Sequence, residues 1–279
     1  PMIFLKKFDA SEVMARLPDA TVMMGVPTFY TRLLGLSELT PDRVAHMRVF
    51  ICGSAPLTEQ TFEEWEQRTG HRILERYGMS ETIINTSNPL QGERVAGTVG
   101  FALLGQQVRV ADEAGVPVPT GEVGMIEVAG PNVFQGYWRM PEKTAEEIRG
   151  DGFFITGDLG VQAADGRLSI VGRSKDLVIS GGYNVYPKEV EVALDDMAQV
   201  AESAVIGVPH PDFGEAVVAV IVPAAGEVTQ AQVDAALGHQ LARFKQPKRV
   251  MNVTELPRNT MGKVQKNLLR EQYVDLFRA

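Results

Sequence analysis

An α/β fold is predicted, with a parallel sheet early in the chain, a glycine-rich β region after it and a small α+β domain at the end. Three observations predict it. Short β-branched apolar runs alternate with amphipathic segments up to about residue 78, glycine, proline and short alternating strands dominate 97–172, and mixed helix and strand periods return from about 174. Strand, helix, strand in that order argues for a parallel sheet whose ligands sit beyond the carboxyl ends of its strands.

After Asp9, SEVMARL has helical period, and TVMMGV at 21–26, stopped by Pro27, reads as a buried strand with a helix at about 28–34 behind it. MRVFICG at 47–53 repeats the strand pattern. TEQTFEEWEQRTG reads as a helix capped by threonine and closed by Gly70, and HRILERYG as a third short strand. VRVAD, GEVGMIEVAG and GRLSIVG predict an antiparallel region with hairpins at Asp112–Gly115 and Asp165–Gly166. RSKD at 173–176 is a charged break between apolar strands. Beyond it come a helix at about 187–196, strands at about 201–208 and 216–222, a helix at about 229–242, a strand at about 249–253 and a last helix from about 263. Domains of 1–172 and 177–279 joined by a hinge at 173–176 are expected.

Composition narrows the function. The chain has 279 residues, 27 Lys and Arg against 35 Asp and Glu, and 44% hydrophobic residues. That is enough apolar material for cores in two domains, and the acidic balance without a basic stripe disfavours nucleic acid as a partner. A single cysteine, Cys52, and four scattered histidines exclude a disulfide framework and a cysteine zinc cage. No run is long enough to span a membrane, so a reduced, cytoplasmic protein is expected. The opening PMIFLKKFD reads as the end of an element, which suggests a fragment.

Five runs concentrate glycine, hydroxyl and charge. Gly53-Ser54-Ala55-Pro56 follows a strand with residues small enough for a flat ring to approach the backbone, or makes a plain tight turn; it lacks the GxSxG spacing of a hydrolase elbow. Arg76-Tyr77-Gly78-Met79-Ser80-Glu81-Thr82 offers an aromatic face, a hydroxyl and a carboxylate suited to Mg²⁺, or a turn capped by Ser80. Ile155-Thr156-Gly157-Asp158 ends in a carboxylate able to accept from a ribose diol, or in an ordinary turn aspartate. Gly172 to Asn184 places Arg173 and Lys175 at the domain boundary and a Gly181-Gly182 pair before Tyr183. In Pro257 to Lys263 a lysine ends a loop at the expected start of the last helix, where an exposed helix lysine is the plain alternative.

In this order and at these separations, with YGMSE, GEVGMIEVAGPNVFQGYW, TGD, GRSKD and NTMGK all present, the runs resemble the adenylate-forming superfamily of acyl-CoA synthetases, adenylation domains and firefly-type luciferases. The resemblance covers nearly the whole chain. It implies that the chain is the later part of a large N-terminal α/β domain with a β-rich subdomain, followed by a small mobile α+β domain. It implies an enzyme in which a carboxylate attacks the α-phosphate of ATP, pyrophosphate leaves and a thiol captures the acyl-adenylate.

Carried onto matching positions, Ser54, Ala55 and Pro56 would lie along the adenine with Tyr77, Gly78 and Met79. Asp158 and Arg173 would hold the ribose, Glu81 would bind Mg²⁺ and Ser80 would sit near the phosphate. Lys263 would stabilise charge growing in the transition state, so its loss should abolish the first half-reaction and spare the second. Lys175 matches the hinge, and Gly181, Gly182 and Tyr183 the coenzyme A tunnel. Arg32, Ser54 and Arg76 would face the acyl pocket, where two buried guanidiniums call for a second substrate carboxylate. This resembles the branch that activates malonate, and sometimes methylmalonate. Ion pairs of Arg32 and Arg76 with Glu75, Glu81 or Glu93 are the structural alternative. A medium-chain or aryl acyl-CoA synthetase and a noncatalytic truncated remnant are the functional alternatives. The phosphate-cradling loop of such enzymes is not in these residues, so weak ATP binding by this stretch alone is expected.

Overall fold

The computed structural model describes residues 2–259 and 262–278; Thr260 and Met261, in the run before Lys263, lie outside the described residues. The backbone divides into two units, Pro1–Ile170 and Val171–Ala279.

In the first unit Asp9 caps α1 (Ala10–Arg16), its carboxylate accepting from the Glu12 amide at 2.9 Å. After a 3₁₀ turn come β1 (Val22–Gly25), α2 (Pro27–Leu34), α3 (Pro41–Val44), β2 (Val49–Cys52), α4 (Glu59–Thr69) and β3 (Leu74–Tyr77). β1, β2 and β3 pair in parallel, in chain order, as expected. Thr58 caps α4, and Gly70 closes it at φ 74, a left-handed value that favours glycine. The aromatic centre of this layer is Trp65, with Tyr30 and Phe50 edge-on at 4.9 and 5.0 Å. Arg68 reaches from α4 to the chain leaving α2 and donates to the carbonyls of Leu34, Leu36 and Leu39, which fixes the end of that helix.

The short strands β4 (Thr86–Ser87) and β5 (Phe101–Ala102) extend the sheet antiparallel. The glycine-rich stretch then forms β6 (Gln107–Ala111), β7 (Val123–Ala129), β8 (Phe154–Gln162) and β9 (Leu168–Arg173), in that order. Gly166, at φ 90, turns the chain between β8 and β9. The expected hairpin at Asp112–Gly115 is formed: Ala111 pairs antiparallel with Pro117, and the Asp112 amide donates to the Val116 carbonyl at 2.9 Å. An unexpected helix, α5 (Pro141–Glu147), interrupts the β region; proline at its first position and the good helix formers of PEKTAEE account for it. Fully buried Glu127 on β7 is held between Arg109 and Arg149 at 2.8 and 2.7 Å.

The second unit contains a 3₁₀ turn at Ser174–Asp176, β10 (Val178–Ser180), β11 (Tyr183–Val185), α6 (Pro187–Asp195), β12 (Val200–His210), β13 (Gly214–Pro223), α7 (Gln230–Leu237), β14 (Arg249–Asn252) and α8 (Lys266–Gln272). The sheet runs β11-β10-β13-β12, with β14 parallel to β13. Both faces are covered: Val217, Ala219 and Ile221 pack in one core with residues of α6 and α7, while Val218 and Val220 pack in another with Leu269 of α8. Burial on both faces explains why β13 reads as a continuous apolar run. Two boundaries differ from expectation. α7 stops at Leu237, where Gly238 follows, rather than near 242, and α8 begins at Lys266 rather than 263.

Candidate active site

Parallel pairing of β2 with β3 sets Cys52 opposite Glu75, so the turns that follow the two strands leave the same sheet edge side by side. They touch: a Cβ on Gly53 would lie 3.2 Å from the Arg76 carbonyl oxygen and 3.5 Å from its Cγ. Glu75 ties the first turn down by accepting from the Leu57 amide at 3.3 Å. Ser54 is held at φ 70, a conformation costly for a non-glycine residue and concentrated at functional sites; Ser54, Ala55 and Pro56 are all exposed.

The second turn is shaped by Gly78. A Cβ there would stand 2.0 Å from the Ile83 carbonyl oxygen and 2.8 Å from the Ile84 Cα. The Asn85 amide donates to the Tyr77 carbonyl at 2.8 Å and the Thr82 amide to that of Met79 at 3.1 Å, so Ser80 and Glu81 stand at the tip of a closed loop. Ile83, exposed and at φ 60, is strained within the same loop.

The expected nucleotide residues Tyr77 and Asp158, 81 positions apart, meet directly. The Tyr77 hydroxyl donates to Asp158 Oδ2 at 2.6 Å, both residues being buried. Thr156 orients Asp158 by accepting from its amide at 3.1 Å while donating to the Ile126 carbonyl at 2.7 Å.

Glu81 is held through a residue to which the sequence assigned no role. The Tyr137 hydroxyl lies 3.2 Å from Glu81 Oε1 and 2.5 Å from Glu147 Oε2, and Lys143 Nζ donates to Glu147 Oε1 at 2.6 Å. Burial, then the Glu147 hydrogen bond, push the Tyr137 phenol well above its ordinary range, so it stays protonated. Burial pushes Glu147 up, but hydrogen bonds from Lys143 and Tyr137 outweigh it and leave that carboxyl below the usual range. Tyr137 stands in GEVGMIEVAGPNVFQGYW, so the motif was visible although the contact was not.

The two arginines depart from expectation. Arg32 is exposed, its guanidinium carbon 5.9 Å from the Phe8 ring centre, and only Arg76 is half-buried. The cost of burying two guanidiniums is therefore no argument for Arg32. The alternative ion pairs are not formed among the described residues either. Glu93 pairs with Arg167 at 3.0 Å, and among the described residues Arg32 and Arg76 form no ion pair.

In the second unit Arg173 ends β9, and exposed Lys175 lies in the 3₁₀ turn, whose Asp176 is held by Arg270 at 2.9 Å. Gly181 and Gly182, at φ 58 and 82, make the two-residue turn between β10 and β11, and Tyr183 stacks on Phe244 at 4.7 Å. Lys263 is exposed and precedes α8 by three residues. Its amide donates to Asn259 Oδ1 at 3.0 Å and its carbonyl accepts from the Asn259 amide at 3.0 Å, which fixes its backbone.

Among the described residues no group of three or more His, Cys, Asp or Glu could cage a metal ion. Mg²⁺, which keeps several waters and is bound through one or two carboxylates and substrate phosphates, fits the single, partly exposed Glu81 carboxylate. No helix among the described residues is long and apolar enough to cross a membrane.

The first unit thus carries strained small-residue and acidic turns at the end of a parallel sheet and a buried tyrosine–aspartate pair. Residues 2–138 match the model of the AMP-binding enzyme and residues 189–263 that of the AMP-binding enzyme C-terminal domain. The chain belongs to the AMP-binding enzyme family. It is 60% identical to ATP-bound MatB from Rhodopseudomonas palustris, with a TM-score of 0.96 over 99% of this chain and 56% of that one. It is 41% identical over 272 residues to a probable CoA ligase of Humulus lupulus, covering 90% of this chain and 45% of the relative. To a malonate–CoA ligase of Arabidopsis thaliana it is 35% identical over 300 residues, covering 96% and 49%. The chain spans about half the length of the curated relatives it matches.

Proposed function

We propose that the complete protein activates a small dicarboxylic acid, malonate or methylmalonate, with ATP and transfers it to coenzyme A. One malonate carboxylate oxygen attacks the α-phosphorus, pyrophosphate leaves, and the coenzyme A thiol then attacks the acyl carbon as AMP departs. Ser54, Ala55, Pro56, Tyr77, Gly78 and Met79 border the adenine, Asp158 and Arg173 hold the ribose, and Ser80 approaches the phosphates. Glu81 holds Mg²⁺, which when bound neutralises phosphate charge. Lys263 supplies positive charge to the reacting α-phosphate, a stabilisation realised as charge develops. Residues 173–176, with Lys175, are the hinge between 1–172 and 177–279, and Gly181, Gly182 and Tyr183 line the path of the thiol.

The observation that carries the dicarboxylate reading is Arg76, a half-buried guanidinium beside Gly53, without an ion pair among the described residues, at the edge where Ser54 and Tyr77 emerge. Such a cation suits a second carboxylate, bound bidentately. The relatives named malonate–CoA ligase, in Arabidopsis thaliana and in the mouse mitochondrion, support it. A monocarboxylate-activating ligase is the second reading, favoured by the exposure of Arg32. Thioester formation from malonate, octanoate and benzoate by the complete protein separates the two. Malonate should be preferred, and R76A should lower kcat/KM for malonate about 10- to 100-fold, the loss of a hydrogen bond to a charged group, with KM for ATP unchanged. Equal use of octanoate or benzoate, or an indifferent R76A, would overturn the reading.

A further inference from the structure

Segment 132–137 grips the loop that carries Glu81 at three points. Asn132 Nδ2 donates to the Thr82 carbonyl at 2.7 Å, the Phe134 amide donates to the Glu81 carbonyl at 2.8 Å, and the Tyr137 hydroxyl lies 3.2 Å from Glu81 Oε1. The first two fix the backbone around residue 81; only the third acts on its carboxylate. The phenol is itself held. Phe134 packs edge-on against its ring at 4.8 Å, the Tyr137 amide donates to Thr144 Oγ1 at 2.9 Å, and Lys143 Nζ stands 5.1 Å from the ring centre.

A phenol has one proton, and two carboxylates face it. Glu147, at 2.5 Å, is the stronger claimant, and Glu81, at 3.2 Å, the weaker. Lys143 sits on the other oxygen of Glu147 and reduces that residue's demand for the phenol proton. An unheld glutamate loses rotamer freedom when it takes a ligand, so a hydrogen bond that narrows its range beforehand lowers that cost.

We infer that Tyr137 is a positioning residue for Glu81, orienting its carboxylate toward the cation, with Glu147 and Lys143 setting how firmly it does so. The inference rests on the proposed role of Glu81 in holding Mg²⁺ beside the nucleotide.

The test uses the complete protein saturated with a nonhydrolysable ATP analogue, with Mn²⁺ titrated in and free Mn²⁺ read by electron paramagnetic resonance. Y137F should raise the Mn²⁺ dissociation constant about tenfold, as loss of an outer-shell partner does. Its thermal midpoint and its metal-free affinity for the analogue should not change, which a merely structural role would not allow. In an E81Q background the same substitution should add nothing. K143M, which removes the ammonium paired with Glu147 and lets Glu147 claim the phenol proton, should weaken Mn²⁺ binding in the same direction by about twofold, and it decides the matter should Y137F not fold. If E81Q weakens Mn²⁺ binding while Y137F and K143M bind as the wild type does, the positioning role is overturned and the role of Glu81 stands. If E81Q binds Mn²⁺ normally, the role of Glu81 falls and the inference with it.

Discussion

Asp195→Asn should stabilise the protein at pH 8 and much less at pH 5. Asp195 is the last residue of α6, where the helix dipole disfavours a negative charge, and among the described residues Ser203 Oγ hydrogen-bonds it at 2.6 Å. Burial, against the Ser203 bond and the charge of Lys188 and aided by Glu191 and Glu202, pushes its carboxyl from 3.8 up to about 6. Glu191 pairs with Lys266 at 2.5 Å and Glu202 with Arg258 at 2.7 Å. A folded-state pKa above the unfolded one means the native protein binds the proton more tightly. Stability from this group is therefore fully present below about pH 4 and is lost as pH rises through 6. Two pKa units at 1.36 kcal/mol each put the loss at about 3 kcal/mol. Asparagine removes the charge and keeps an oxygen for Ser203, while its buried amide costs about 1 kcal/mol. A net gain of about 2 kcal/mol at pH 8 follows, or a rise in thermal midpoint of roughly 5–10 °C for a unit of this size. Differential scanning calorimetry at both pH values reads it. An equal shift at pH 5 and pH 8, or destabilisation at pH 8, would refute the reasoning.

Two further substitutions probe how the first unit is held. R68M keeps much of the side-chain length but leaves the carbonyls of Leu34, Leu36 and Leu39 without their common donor; chemical denaturation should show a loss of about 2–4 kcal/mol, and a loss below about 0.5 kcal/mol would mean that water replaces the guanidinium freely. G78A drives a methyl group into the Ile83 carbonyl, so denaturation should show about 3 kcal/mol of destabilisation and calorimetry should show weakened binding of an ATP analogue. Unchanged affinity would separate the loop from the nucleotide site.

The amino-acid sequence by itself determined the layers and the places where chemistry gathers. Apolar runs such as VMMG and VFIC, amphipathic EQTFEEWEQRT between Thr58 and Gly70, and the two-faced strand at 214–223 specify their elements because periodicity and caps are local properties. For the same reason the glycine and acidic turns could be placed at strand ends. Tertiary structure alone decided which side chains meet there. Tyr77 reaches Asp158 across 81 positions, and Glu81 reaches Tyr137 across 56, on strands and turns whose register no local pattern encodes. It also decided that Arg32 lies in water while Arg76 is half-covered, because exposure depends on what the rest of the chain lays over a residue and not on the residue itself. Helix α5 falls between the two: its propensity was legible, but the surrounding glycines and strands outweighed it until the folded chain gave that segment a place beside β8.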